Sequence, residues 1–502
     1  MLLFFCWIYC LTVLHAQEPV GFKAFASSRR PILGASGHLG YLRMSIDEGQ
    51  YEVNMNKNYQ LIVPEAEFMP LHIWTGENQY NFTDTDWLLG ATLNTTGWAQ
   101  QHYYQTRGHS LVWAYDSRIP TWLLEQEASI TPEKAKSLLS DYIHTVVGRY
   151  RGKIESWFVI NEAISDYNET RPYNLRDSFW YRKLGSNFIL YAFQFAREAD
   201  PSVNLLFNEY AIESGGLKAE RTLAFIGWLQ SQQIPIHGMG MQWHIDMTEV
   251  VTPGDAHYQI AQRFIDLNIS LIVSELDIAI PMNQGQPIDP NALEKQANIY
   301  RSILHYVLHF FPRIPEMITW GYKDRFSWIP KAKKHTMGLG LPSDCQYQPK
   351  PAYWQLQEEL GRVITDGIYK ISLQSQTNQC LGTSTNSTNS TLQLYDKDDC
   401  NRMNTQWNIT WLGDGTYRFS PQSALNSALN TSNATAPVGQ VMTTIWTGDF
   451  TQEWTISLQE NDTFHIAPRN AYWRILAADR TSKIVIVDTN MPVSQRWTIT
   501  AI

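Results

Sequence analysis

Trp157–Ala163 reads WFVINEA and Leu271–Ile278 reads LIVSELDI. Each is a short apolar run that breaks off at an acid, Glu162 in the first and Glu275 in the second. Continuous apolar runs of this length predict strands buried on both faces, the setting of a parallel sheet. Working outward, runs of the same kind occur at Pro31–Ala35, Gln60–Val63, Thr106–Val112, Asn204–Phe207, Ile236–Met241 and Met317–Trp320. With Trp157–Ile160 and Ser270–Ser274 they make eight. Helix-like amphipathic segments separate several of them: Pro132–Tyr150, opened by Thr131 as an N-cap ahead of Pro132, then Gly185–Glu198 and Leu293–His309. Buried strands alternating with helices predict parallel β/α units, and eight units predict a closed (β/α)8 TIM barrel, an α/β fold, over residues 17–361.

After Gly361 the texture changes. Helical periodicity disappears, and Thr, Ser, Asn and Gln surround short strand-like pieces. A weak repeat emerges in the segments ending at Trp407, Trp454 and Trp497, spaced by 47 and 43 residues. Tyr369-Lys370-Ile371, Tyr417-Arg418-Phe419 and Phe464-His465-Ile466 stand upstream of them in turn. Three such units predict a smaller all-β domain of pseudo-threefold form over residues 366–502.

The chain of 502 residues carries a net charge of -9 without a basic run, which disfavours nucleic acid and anionic membrane as partners. Aromatic residues reach 13%, including 19 Trp, which suits either a large core or stacking on sugar rings. Met1–Ala16 is a short apolar run, too short to span a membrane and placed as a signal peptide would be. Ten Asn-x-Ser/Thr sequons, at Asn81, Asn94, Asn168, Asn268, Asn386, Asn389, Asn408, Asn430, Asn433 and Asn461, independently suggest a secreted, extracellular glycoprotein. Removal of Cys6 and Cys10 with the leader leaves Cys345, Cys380 and Cys400. Cys380 and Cys400 can close a loop in an oxidising compartment, leaving Cys345 free. No metal-ligand spacing occurs, so neither a metal nor another cofactor is expected. A monomer is expected.

Barrel strands present active groups at their C-terminal ends, which singles out Asn161, Glu162 and Glu275. A lone acid after an apolar run is more often a solvated loop residue or a helix cap. Their company changes that reading. RGHSLVW at Arg107–Trp113, followed by Pro120 and Trp122, Asn208-Glu209-Tyr210, Gln242-Trp243-His244, Ser274-Glu275-Leu276-Asp277, WGYKDRFSW at Trp320–Trp328, and Pro349–Tyr353 follow in order around them. In that order and with those residues the chain resembles glycoside hydrolase family ten, whose members are mainly endo-β-1,4-xylanases. The resemblance implies that Glu162 is the acid/base, Glu275 the nucleophile, and His244 and Asp277 the groups that fix the nucleophile's charge. It makes Asn161 the grip on the sugar 2-hydroxyl, with His109 and Gln242 as further contacts and Trp320 and Trp328 as an aromatic platform. Glu65, Trp113 and Tyr210 fall at further substrate-binding positions. Cleaving an acetal takes a proton on the leaving oxygen and a stabilised oxocarbenium-like carbon, and carboxyl groups about 5–5.5 Å apart retain the anomeric configuration.

The sequence departs from the family pattern after the second and third strands. Ala66 replaces an Asn that contacts the next sugar, and Met69 replaces a Lys. Ala114 replaces a His and Asp116 a Gln. These changes spare the catalytic centre and remove hydrogen bonds from the adjacent subsite. An endo-β-1,4-xylanase acting on xylan-like polysaccharide is therefore the leading expectation. A same-mechanism glycanase preferring another β-1,4-linked backbone is the alternative, and a non-catalytic carbohydrate-binding glycoprotein stands behind both. The C-terminal units resemble ricin-type β-trefoil lectin domains, which implies a Cys380–Cys400 disulfide and a possible sugar ligand. Where sugar-binding repeats carry Asp, this chain has Gly382, Asn430 and Ala477.

Overall fold

The computed structural model describes residues 19–92, 94–376, 378–431, 439–471, 473–479, 484–488 and 495–502. The expected leader and Asn433 lie outside the described residues. The described chain forms two compact units, one of Ile32–Ala352 and one in which residues up to Pro31 join Tyr353–Ile502. Residues 19–31 and 353–361, assigned from sequence to the barrel domain, thus group with the second unit. Phe22 stacks on Tyr353 with ring centroids 4.3 Å apart, and Gln357 accepts a hydrogen bond from the Gly21 amide at 3.1 Å.

The first unit is an eight-stranded parallel barrel. Its strands are β1 Ile32–Gly37, β2 Leu61–Pro64, β3 Gln105–Trp113, β4 Ser156–Asn161, β5 Asn204–Glu209, β6 Gly238–Met241, β7 Ser270–Asn283 and β8 Glu316–Thr319. Each pairs in parallel with its neighbours, and β8 pairs with β1 to close the ring. The eight apolar runs thus become the eight barrel strands. Leu61, Val63, Phe158, Leu206, Ile272, Ile318 and Trp320 form one buried cluster inside. Helix α1, Pro132–Arg149, begins where expected: Thr131 Oγ1 accepts from the Lys134 amide at 3.3 Å, with Pro132 in the first turn. Helices α2, Asn187–Ala199, and α3, Ala292–Phe310, fill the other two predicted segments.

One strand differs from expectation. β7 does not end at Ser274 but runs on to Asn283, with an irregular register against β8 between Val273 and Leu276. A short strand at His244–Asp246 supplies the reason, because it pairs with the extension and sets His244 opposite Asp277.

Beyond the helix Pro351–Gly361, the described residues of the second unit are all-β, with twelve strands in three sets of four. The first set is β9 Gly367–Leu373, β10 Gln379–Thr383, β11 Ser390–Asp396 and β12 Gln406–Trp411. The second is β13 Tyr417–Pro421, β14 Ser427–Thr431, β15 Gly439–Ile445 and β16 Trp454–Leu458. The third is β17 Phe464–Pro468, β18 Arg474–Ala478, β19 Ile484–Asp488 and β20 Trp497–Ala501. Strands β9, β12, β13, β16, β17 and β20 close an antiparallel barrel, and each set contributes one hairpin beside it. The repeated tryptophans are core and equivalent: the indole N–H of Trp407, Trp454 and Trp497 donates to the carbonyl of Leu381, Leu429 and Leu476 at 2.9, 2.9 and 2.8 Å. Cys380 and Cys400 are disulfide-bonded with Cα atoms 5.8 Å apart. Cys345 is also disulfide-bonded, which corrects the expectation of a free thiol.

Candidate active site

Asn161 ends β4, and Glu162 follows it with φ +55, in the left-handed region. Non-glycine residues persist there only when their surroundings hold them. The Glu162 amide donates to the Asn208 carbonyl at 2.9 Å, and its own carbonyl accepts from Arg176 Nε at 3.2 Å. The residue is 9% exposed. Its two oxygens accept from Trp113 Nε1 at 2.9 Å and Gln242 Nε2 at 3.0 Å. Burial is the largest influence and raises the Glu162 pKa above the ordinary range; the Gln242 hydrogen bond opposes it, and the charge of Glu275 adds to it.

Glu275, on β7, is in the opposite state. Asn208 Nδ2 donates to one oxygen at 2.6 Å and His244 Nε2 to the other at 3.1 Å. Burial would raise this carboxyl too, but those donors and the positive charge of His244 outweigh it and hold it below the ordinary range. His244 reaches Asp277 through Nδ1 at 2.9 Å, and Trp328 Nε1 donates to the same Asp277 oxygen at 2.8 Å. Burial disfavours the charge on His244, yet the two carboxylates push its pKa well above that of a free imidazole. His244 is therefore an imidazolium that donates from both ring nitrogens.

A chain of amides joins the two acids. Gln242 Nε2, bonded to Glu162, also donates to Asn161 Oδ1 at 3.4 Å. Asn208 Nδ2, bonded to Glu275, donates to that oxygen at 2.8 Å, and Ser274 Oγ orients Asn208 by donating to its Oδ1 at 2.8 Å. The centre of β6 makes room for this, since a Cβ on Gly240 would lie 2.0 Å from Asn208 Oδ1. Two acids whose pKa values are pushed in opposite directions on one polar network suit a reaction that takes a proton donor and an anion together.

A sequence model of glycosyl hydrolase family 10 matches residues 35–359. The chain belongs to glycosyl hydrolase family 10. Endo-1,4-beta-xylanase B of Thermotoga neapolitana is 30% identical over 312 residues, covering 62% of this chain and 84% of the relative. The exoglucanase XynX of Acetivibrio thermocellus is 28% identical over 312 residues, covering 60% of this chain and 26% of the relative. Among solved structures, xylanase 10B of Thermotoga petrophila in complex with xylobiose is similar with a TM-score of 0.62 at 29% identity, covering 69% of this chain and 98% of that one. This family 10 chain is thus a glycoside hydrolase.

The other singled-out residues fall into two groups. His109 is fully buried, with Trp320 and Trp113 edge-on at 5.1 and 5.7 Å, and burial lowers its pKa so that it stays neutral. Neither its ring nitrogens nor Asn161 Nδ2 has a hydrogen-bond partner among the described residues. Trp320 and Trp328 meet His244 edge-on at 6.4 and 4.9 Å. Glu65 pairs with His38 at 3.1 Å instead of touching either central acid. Tyr210 joins Tyr115, Asp166 and Arg176. Of the departures from the family 10 pattern, Met69 and Ala114 are buried, and Asp116 is committed to the Phe179 amide and Arg182, both at 2.8 Å. Phe158 lies in the barrel core 5.7 Å from the His109 ring.

Sequence reasoning did not assign a site role to Asn208, Ser274, Arg176 or Glu209. Asn208 carried the same signal as Asn161, an amide ending an apolar barrel strand. Glu209, an acid ending the run Asn204–Phe207, and Ser274 stood inside the quoted motifs, whereas Arg176 had no local signature; what none of the three showed was its contact with a distant segment.

Proposed function

We propose that this chain is a secreted, retaining endo-β-1,4-xylanase. The observation that carries the reading is the opposed state of the two acids on one hydrogen-bonded network: Glu162 biased toward its protonated form and Glu275 toward its anion. Glu275 attacks the anomeric carbon while Glu162 protonates the leaving oxygen, giving a glycosyl-enzyme ester. Glu162, now a carboxylate, then takes a proton from water as that water displaces Glu275. His244 and Asp277 keep Glu275 charged, while Asn161 Nδ2 and His109 offer polar atoms to the bound sugar. The names of the two Thermotoga proteins support xylan as the substrate class, while the Acetivibrio thermocellus relative is named an exoglucanase.

A second reading is a same-mechanism enzyme for a different β-1,4-linked backbone. It is favoured by Met69 and Ala114, which are buried and apolar, and by Asp116, whose carboxylate is already used. Each hydrogen bond that the subsite no longer offers a sugar costs on the order of 1–3 kcal/mol of binding. The exposed sequon asparagines Asn81, Asn94, Asn168, Asn268, Asn386, Asn389 and Asn461 are compatible with export and glycosylation. The threefold second unit is read as a ricin-type β-trefoil, for which Gly382, Asn430 and Ala477 supply no acid to a sugar.

The test is reducing-end release from purified xylan, cellulose and mixed-linkage glucan, with the anomer of the first product followed by NMR. Xylan hydrolysis with a β-anomer first, lost in Glu275→Ala, is expected. An α-anomer first, or unchanged turnover by Glu275→Ala, overturns the mechanism; release from glucan alone selects the second reading.

A further inference from the structure

The left-handed turn at Glu162 has no glycine to ease it, yet its backbone groups are held. Arg176 holds three of them: its amide donates to the Ala163 carbonyl at 2.8 Å, Nε to the Glu162 carbonyl at 3.2 Å and Nη2 to the Ile164 carbonyl at 3.0 Å. Glu209, at the end of β5, holds a fourth, its Oε2 accepting from the Ile164 amide at 3.0 Å. The other Glu209 oxygen accepts from the Tyr210 amide at 3.1 Å and faces Lys218 Nζ at 3.0 Å.

We propose that Arg176 and Glu209 are positioning residues for the general acid/base, a two-sided clamp on the turn that presents Glu162. The proposal rests on the acid/base reading of Glu162 given above. Neither side chain bonds to the Glu162 carboxyl group; both act on the main chain beneath it. Arg176 is 8% exposed and Glu209 fully buried, where burial pushes its carboxyl up to about 7, and buried polar groups persist only where their hydrogen bonds are satisfied. Here those bonds go to the acid's own turn. Both residues are fixed from behind. The Arg176 guanidinium lies 3.9 Å from the centre of the Tyr115 ring, donates to Tyr210 Oη at 3.1 Å and faces Asp166 at 3.4 Å. Lys218 bridges Glu209 to Asp166, 2.9 Å away. Proton transfer in the transition state depends on hydrogen-bond reach, so a loosened turn penalises substrates in proportion to their need for a proton.

Leaving-group dependence separates positioning from general damage. Arg176→Lys and Glu209→Gln are assayed on phenyl and 2,4-dinitrophenyl β-xylobiosides, with kcat/KM for each and the melting temperature of each variant. The phenyl substrate, which needs the proton, is expected to lose about 10–100-fold, and the dinitrophenyl substrate no more than about twofold. An equal loss on both substrates, or a loss on neither, overturns the proposal. Glu162→Ala is measured beside them. It is expected to show the same discrimination more strongly, with azide restoring turnover of the dinitrophenyl substrate. If Glu162→Ala treats both substrates alike and azide does nothing, the acid/base reading itself fails, whatever the clamp variants show. If Glu209→Gln does not fold, Glu209→Asp and Arg176→Lys read the same turn from its two sides under the same criteria.

Discussion

His244 keeps its proton because two carboxylates, Glu275 and Asp277, stand at its two ring nitrogens. That arrangement fixes a sign for each limb of the pH profile. In the proposed mechanism Glu275 is idle as nucleophile when protonated, below its pKa, and Glu162 is spent as acid above its own. Glu275 lies below the ordinary value of 4.5 and Glu162 above it, so kcat/KM should form a bell whose plateau spans that value. His244→Asn removes the cation and should move the acid limb toward neutral pH while leaving the alkaline limb nearly in place. A profile of kcat/KM against pH checks both statements, and an unmoved acid limb would count against His244 as the group holding Glu275 ionised.

At the level of strands, β6 matters for what it lacks. Gly240 lies in register with Asn208 of β5, and any side chain on it would meet the Asn208 amide oxygen, the Phe158 ring and Ser274 Oγ. Gly240→Ala should cost about 1–3 kcal/mol in urea unfolding by overpacking. It should also lower kcat by displacing the amide that donates to Glu275; wild-type kcat and stability would show that Asn208 has freedom the packing denies. All eight barrel strands were legible as apolar runs, because strands buried on both faces have no alternation to disguise them. The end of β7 was not legible, since the extension past Ser274 exists only through pairing with His244–Asp246, a partner far away in sequence. The same reason hid the roles of Arg176 and Glu209. The arginine looks like a loop cation and the glutamate like one more acid ending a strand, until the turn they hold is folded. Tyr210 and Glu65 were singled out by position and turn out to hydrogen-bond with neighbours other than the two acids.

Taken whole, the chain joins a unit whose chemistry is concentrated at two acids to a unit whose order is repeated three times. Trp407, Trp454 and Trp497 are fully buried and each donates to one leucine carbonyl. Replacing any one by Phe removes a buried hydrogen bond to that carbonyl, so each change should destabilise the second unit by about 1–3 kcal/mol. Near-UV circular dichroism during urea unfolding would report it. Threefold equivalence predicts similar costs at Trp454 and Trp497, and a large disparity between those two would show that the repeats no longer share one fold energetically. In the first unit, Glu275 lies within a barrel strand and Glu162 directly follows one, whereas Ala66, Met69, Ala114 and Asp116 lie in the segments that follow β2 and β3. Under the proposed function, heredity can therefore revise the segments after β2 and β3 while leaving the two acids on their strands, so that a lineage changes its diet and keeps its reaction.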